Sequence, residues 1–201
     1  MRTDTGKTFR LEDYRPTDYT ISETNLTFRL DAEDTRVRSR LTLERRSGVA
    51  KDAPLVLDGE ELKLVSVSVN GAVLGIHSYQ VTPDNLTIQH LPDGVFTLEI
   101  ETVISPGANK SLSGLYYAEH IFCTQCEAEG FRRMTYFYDR PDVLSVYSVR
   151  LEAAKAAAPV LLANGNLTAS GELPDSWHFV EWHDPHPKPS YLFALVGGDL
   201  G

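Results

Sequence analysis

The sequence predicts an all-β fold, a sandwich or large open sheet, on three observations. Short runs alternate apolar with polar residues, they recur roughly every ten positions, and turn-forming residues separate them. In "YTISETNLTFRLD" (19–31) the alternation puts Leu26, Phe28 and Leu30 on one face of an extended segment. "RVRSRLTLERR" follows after a turn at "DAEDT". "LKLVSVSVNG" (62–71) alternates Leu62 and Leu64 with Lys63, then Val65, Val67 and Val69 with serines. It ends on Asn-Gly, a strong hairpin signal. "NLTIQHL" and "GVFTLEIETVI" repeat the pattern across a "PDG" turn. Later candidate strands are "RRMTYFYD", "LSVYSVRLEA", "PVLLANG", "HFVEWHD" and "SYLFALVGG".

One stretch competes with that reading. "VRLEAAKAAAPVLLANG" holds six alanines and is helical by propensity. Pro159 stops a helix from running on, and "VRLEA" continues the alternation of "LSVYS". The expected path is strand, short irregular excursion, strand. No internal repeat or low-complexity linker divides the 201 residues, which are expected to form one β domain, 1–201. The chain closes on an apolar strand without a polar tail, which reads as a piece of something longer.

Composition narrows the function classes. With 42% hydrophobic and 23% charged residues, the chain can bury a core. No apolar stretch reaches membrane-spanning length, so no membrane partner is expected. The opening "MRTDTGKTFRLEDYRP" lacks the apolar run of a secretory signal, and the expected location is cytoplasmic. The four N-x-S/T matches, at Asn25, Asn85, Asn109 and Asn166, are then chance. A formal charge of −9, from 28 acidic against 19 basic residues, argues against a nucleic-acid partner. Arg36, Arg38 and Arg40 share one side of a strand and read as a solvent face balanced by acids.

The densest chemistry lies in "CTQCEAEGFRRMTYFYDRPD" (123–142). Cys123 and Cys126 form a C-x-x-C pair. No second pair or H-x-x-x-H completes a zinc site, and no βαβ pattern surrounds it as a redox motif would require. The cysteines read better as small side chains that order a loop, bridged or not. His183 and His186 straddle Pro185 and read as a structural loop. No G-x-S-x-G and no phosphate loop occurs, so no complete active site is present. Glu127 and Glu129 remain. Both serve as salt-bridge partners for Arg132 and Arg133, or one is held unpaired to receive a cation from outside. A carboxylate flanked by Gln125 and by Phe131 and Tyr136 suits a ligand ammonium. Charge-assisted hydrogen bonds to such a group contribute about 1.5–3 kcal/mol each.

The same segment resembles the bacterial aminopeptidase N (alanyl aminopeptidase) family of zinc metallopeptidases. The family pattern "LCTQCEAEGFR" with "YYLDRPDV" stands here as "FCTQCEAEGFR" with "YFYDRPDV". "DYRPTDYTISETNLTFRLD", "DAPLVLDGEELKLVSVSVN", "FTLEIETVISPGANKSLSGLY", "LLANGN" and "DPHPKPSYLFALVGGD" resemble that family's amino-terminal domain in the same order, from about residue 13 onward. The resemblance implies a saddle-shaped, mostly antiparallel β-structure leaning over a catalytic domain. That domain's G-A-M-E-N and H-E-x-x-H motifs, whose histidines and a downstream glutamate hold zinc, do not occur in these residues. It also implies roles. Glu127 would bind the α-ammonium of a peptide with a free amino terminus, and Gln125 would line the pocket for its first side chain. Further anchoring glutamates, the zinc and the catalytic base would belong to the catalytic domain in cis. The alternative from another class is a freestanding β-sandwich that binds a partner without any peptidase.

Overall fold

In a computed structural model describing residues 10–201, the strands assemble into three sheets. The polar opening stretch, read above as lacking a secretory signal, begins in residues 1–9, outside the described residues. The strands in chain order are β1 (Tyr19–Arg29), β2 (Thr35–Arg45), β3 (Leu55–Asp58), β4 (Lys63–Val69), β5 (Ala72–Val73), β6 (Tyr79–Val81), β7 (Asn85–Ile88) and β8 (Val95–Ile104). They continue as β9 (Gly114–Ala118), β10 (Ile121–Gln125), β11 (Ser145–Ala154), β12 (Val160–Ala163), β13 (Asn166–Leu173), β14 (Trp177–Lys188) and β15 (Leu195–Gly198). An eight-stranded sheet runs β13-β14-β11-β1-β2-β8-β4-β5, antiparallel except where β1 meets β11. A four-stranded sheet runs β12-β15-β10-β9 and a three-stranded one β3-β7-β6.

The alternation seen in the sequence sets which face each strand buries. Tyr19, Ile21, Leu26 and Phe28 of β1, with Val37, Leu41 and Leu43 of β2, are buried, while Arg36, Arg38 and Arg40 point outward. Those arginines meet acids on the neighbouring strand: Glu101 binds Arg36 and Arg38, and Glu99 faces Arg40. Along "LKLVSVSV" the apolar phase slips between Leu64 and Val65. The backbone answers with a register shift between Leu64 and Ser66 that leaves Val65 exposed and returns Val67 to the core. Asn70 and Gly71, both at positive φ, close the β4–β5 hairpin as their residue types require. The alanine-rich stretch follows the strand, excursion, strand path, with β11 ending at Ala154 and β12 starting at Val160.

Two expectations need correction. "RRMTYFYD" is not a strand. It begins as a 3₁₀ turn (Phe131–Arg133), and Met134, Thr135, Tyr136 and Phe137 are all buried, so both faces of its alternation lie inside. The segment is a filler between layers. Thr102 of β8 donates to the Met134 carbonyl (2.8 Å), Thr135 donates to Ser39 of β2 (3.0 Å), and Phe137 exchanges backbone hydrogen bonds with Asp58 of β3. Gly59 leaves the room that Tyr136 takes, because a Cβ there would meet the ring at 2.2 Å. The stretch from His183 to His186 around Pro185, read as a structural loop, is part of β14. Pro185 and Pro187 are tolerated because β13 pairing ends at His183 and a register shift falls opposite them on β11. His183 packs against Ser148 at 2.9 Å.

An aromatic cluster ties the layers together. Phe131 lies 4.9 Å from Phe137 and 5.3 Å from Phe193 between ring centroids, and Phe193 stacks on Phe28 of β1 at 6.0 Å. Each fully buried ring of this kind contributes about 1.5–3 kcal/mol through lost water contact. The cluster fixes the chain just after residue 130, and so fixes where the preceding loop can go.

Candidate functional site

The loop of interest is the one by which β10 leaves its sheet. Its residues Cys126 to Arg133 are pinned at three points. Gly130 is the first. Its N–H donates to the Cys126 carbonyl at 2.8 Å, and a Cβ on it would stand 2.2 Å from the Gln125 carbonyl oxygen and 2.8 Å from the Gly114 nitrogen. No side chain fits where these backbones cross. Gly114, at φ +74°, supplies the other half of the crossing.

Arg132 is the second pin. Its backbone N–H and its Nε both donate to Asp139 Oδ2 at 3.1 Å, and Nη2 donates to the Asp139 carbonyl at 3.0 Å. The Asp139 side chain is fully buried and also accepts from Ser190 Oγ at 2.6 Å. Arg132 Nη1 reaches Glu129 at 3.4 Å, and Asp58 stands 3.9 Å from Nη2. Burial alone would lower the Arg132 pKa, but Asp58, Asp139 and Glu129 outweigh it and hold the guanidinium above its ordinary value. Burial pushes the Asp58 carboxyl up, against the pull of Arg132.

Arg133 is the third. Nη1 donates to Glu60 at 2.6 Å and Nη2 to Glu61, which ties the loop to the turn between β3 and β4. Within the turn that the Gly130–Cys126 hydrogen bond closes, Glu127, Ala128 and Glu129 are exposed, as is Gln125 at the end of β10. A cis peptide joins Glu127 to Ala128. Gln125 Nε2 donates to the Glu127 carbonyl at 3.3 Å.

The two glutamates therefore differ. Glu129 has an arginine. The Glu127 carboxylate has no hydrogen bond or ion pair with any described residue, while Arg132 pairs with Asp58, Glu129 and Asp139 and Arg133 with Glu60 and Glu61. Of the two sequence readings, local pairing describes Glu129 and an open carboxylate describes Glu127. The aromatics expected to flank that carboxylate do not. Phe131 and Tyr136 are core residues. Sequence reasoning also missed Asp139, Asp58, Glu60 and Glu61; the last three lie some seventy residues from the arginines they hold.

Among the described residues no group of three or more His, Cys, Asp or Glu side chains is arranged to hold a metal ion. Cys123 and Cys126 are free thiols, and burial pushes both above the ordinary thiol range, the reverse of what a thiolate ligand or redox nucleophile needs. No described helix is long and apolar enough to cross a membrane.

The loop at the end of β10 is thus held by residues from β3, the β3–β4 turn and the segment that follows the loop, on a framework of one eight-stranded, one four-stranded and one three-stranded sheet. The chain belongs to the family described as "Peptidase M1 N-terminal domain", whose model matches residues 15–192. It is 54% identical over 200 residues to aminopeptidase N of Caulobacter vibrioides, covering 100% of this chain and 23% of that protein. Aminopeptidase N of Escherichia coli is 50% identical over 188 residues, covering 94% of this chain and 21% of that protein. Among solved structures, Legionella pneumophila aminopeptidase A, in complex with aspartic acid, superposes with a TM-score of 0.91 at 39% identity, over 96% of this chain and 23% of that one. The M1 zinc metallopeptidase of Deinococcus radiodurans shares the fold, with a TM-score of 0.77 at 17% identity over 90% of this chain and 42% of that one. The chain thus spans under a quarter of the length of these curated relatives.

Proposed function

We propose that this chain is the substrate-anchoring, amino-terminal β domain (1–201) of a longer zinc aminopeptidase that removes residues from the free amino end of peptides. In this reading Glu127 presents its carboxylate to the substrate's α-ammonium, and Gln125 lines the pocket for the first side chain. The observation that carries it is the open carboxylate: Glu127 is exposed and without a partner among the described residues, on a turn between the end of β10 and the pinned segment from Gly130 to Arg133. A fixed acid at one residue's distance from the scissile bond would measure off the chain end. A peptide without a free amine would leave that acid desolvated and unpaired, which rejects internal bonds.

Zinc, its ligands and the base would be contributed by the catalytic domain in cis, so this stretch alone is expected to be inactive. Zinc would supply the activated water there. The family membership and the relatives' greater length support this over a freestanding binding module. Two unbridged thiols suit a reducing compartment, and the proposed location is the cytoplasm.

Gln125 gives the test of the pocket. In the full-length protein, Gln125→Ala is expected to reorder the preference among first residues by about tenfold, because one lost hydrogen bond or one emptied contact contributes on that scale. Aminoacyl anilides that differ only in the first residue measure it. An equal effect on every substrate would count against the pocket role.

A further inference from the structure

Two arginines adjoin the loop that carries an open carboxylate, and this arrangement needs an explanation. Glu127 lies five and six residues from Arg132 and Arg133. Either guanidinium would be a natural partner for it and would compete with any incoming ammonium. Neither offers an open terminal nitrogen, and their one unpartnered nitrogen, Arg133 Nε, is buried. On Arg132, Asp139 takes Nε and, through its carbonyl, Nη2. Nη1, the arm that reaches back to the loop, is held by Glu129. On Arg133, Glu60 takes Nη1 and Glu61 takes Nη2. Asp139 already neutralises Arg132 and is fully buried, whereas the Glu129 side chain is 60% exposed. An ion pair so open to water adds little to stability. Its consequence is that no cationic arm of Arg132 is left for Glu127.

We propose that Glu129, together with the Glu60–Glu61 pair, consists of positioning residues that keep Arg132 and Arg133 occupied so that Glu127 stays open to the substrate's ammonium. The inference rests on the reading of Glu127 given above and extends it to residues that touch no substrate. With Glu129 neutral, Arg132 Nη1 loses its anionic partner; Asp58 stands on the Nη2 side at 3.9 Å, which leaves Nη1 free toward the loop that carries Glu127. Substrate must then displace an internal ion pair. Binding weakens while the chemical step does not.

The experiment is steady-state kinetics of the full-length protein on an alanine anilide, comparing Glu129→Gln, Glu129→Asp and the double change Glu60→Gln with Glu61→Gln. Glu129→Gln is expected to raise KM about fivefold or more with kcat within about twofold and the unfolding midpoint unchanged. The rise shrinks at high salt, which screens the competing pair. Glu129→Asp restores KM, and the double change moves KM in the same direction. An unchanged KM overturns the proposal, as does a parallel loss of kcat and melting temperature, which marks a structural role only. Glu127→Ala separates the two levels. If it impairs the enzyme while Glu129→Gln is silent, the occupancy idea alone falls. If Glu127→Ala is silent, the ammonium reading falls and takes this one with it.

Discussion

If the proposed role holds, replacing Glu127 with alanine in the full-length protein is expected to lower kcat/KM for free-amine peptides by about 10²- to 10³-fold, without measurable change in stability. The size follows from the pair that is lost. Removing one partner of a desolvated ion pair costs about 3–5 kcal/mol, and each 1.4 kcal/mol is tenfold. The lower end applies here because further anchoring acids from the catalytic domain would share the ammonium. Stability is spared because the side chain is exposed and unpaired, and such surface changes stay within about 0.5 kcal/mol. Kinetics and thermal melts on one preparation check both halves. A variant that melts early and loses activity in proportion would assign Glu127 to the fold instead.

The second large effect is on the fold itself. Asp139→Ala is expected to destabilise the protein by about 3–5 kcal/mol, because it strands the mostly buried Arg132 guanidinium and leaves Ser190 Oγ without its acceptor. Asp139→Asn should lose less, since an amide oxygen keeps one hydrogen bond while the charge goes. Chemical denaturation with an unchanged m-value measures the difference. A loss under about 1 kcal/mol for the alanine variant would mean that Asp58 and Glu129 suffice to hold Arg132, and that the loop is not pinned through Asp139.

Much of the fold was legible because its strands keep one apolar face. β2, β8 and β11 alternate cleanly, β1 does so on either side of a bulge between Ile21 and Glu23, and the bulge in β4 is written as a phase slip from Leu64 to Val65. What failed did so for physical reasons. "RRMTYFYD" has β-forming residues in both phases, and only the layers on either side decide that both are buried. β13 was missed because its apolar phase, Leu167, Ala169, Gly171 and Leu173, is diluted by small residues on a largely exposed edge strand. β9 and β10 were hidden by their turn. Glu119 and His120 take positive φ without the glycine or asparagine that announces such a hairpin. The site divides in the same way. Glu127 and Gln125 are proposed from the motif, but which of the loop's acids is paired depends on Asp58, Asp139, Glu60 and Glu61. These reach the loop only through packing.

The most direct measurement is a structure of the full-length protein holding an uncleaved peptide. The account predicts that the peptide's amino nitrogen sits about 2.7–3.2 Å from a Glu127 carboxylate oxygen, with Arg132 still on Asp139 and Glu129. An amino nitrogen held by other groups, with Glu127 turned to solvent or paired to Arg132, would contradict it.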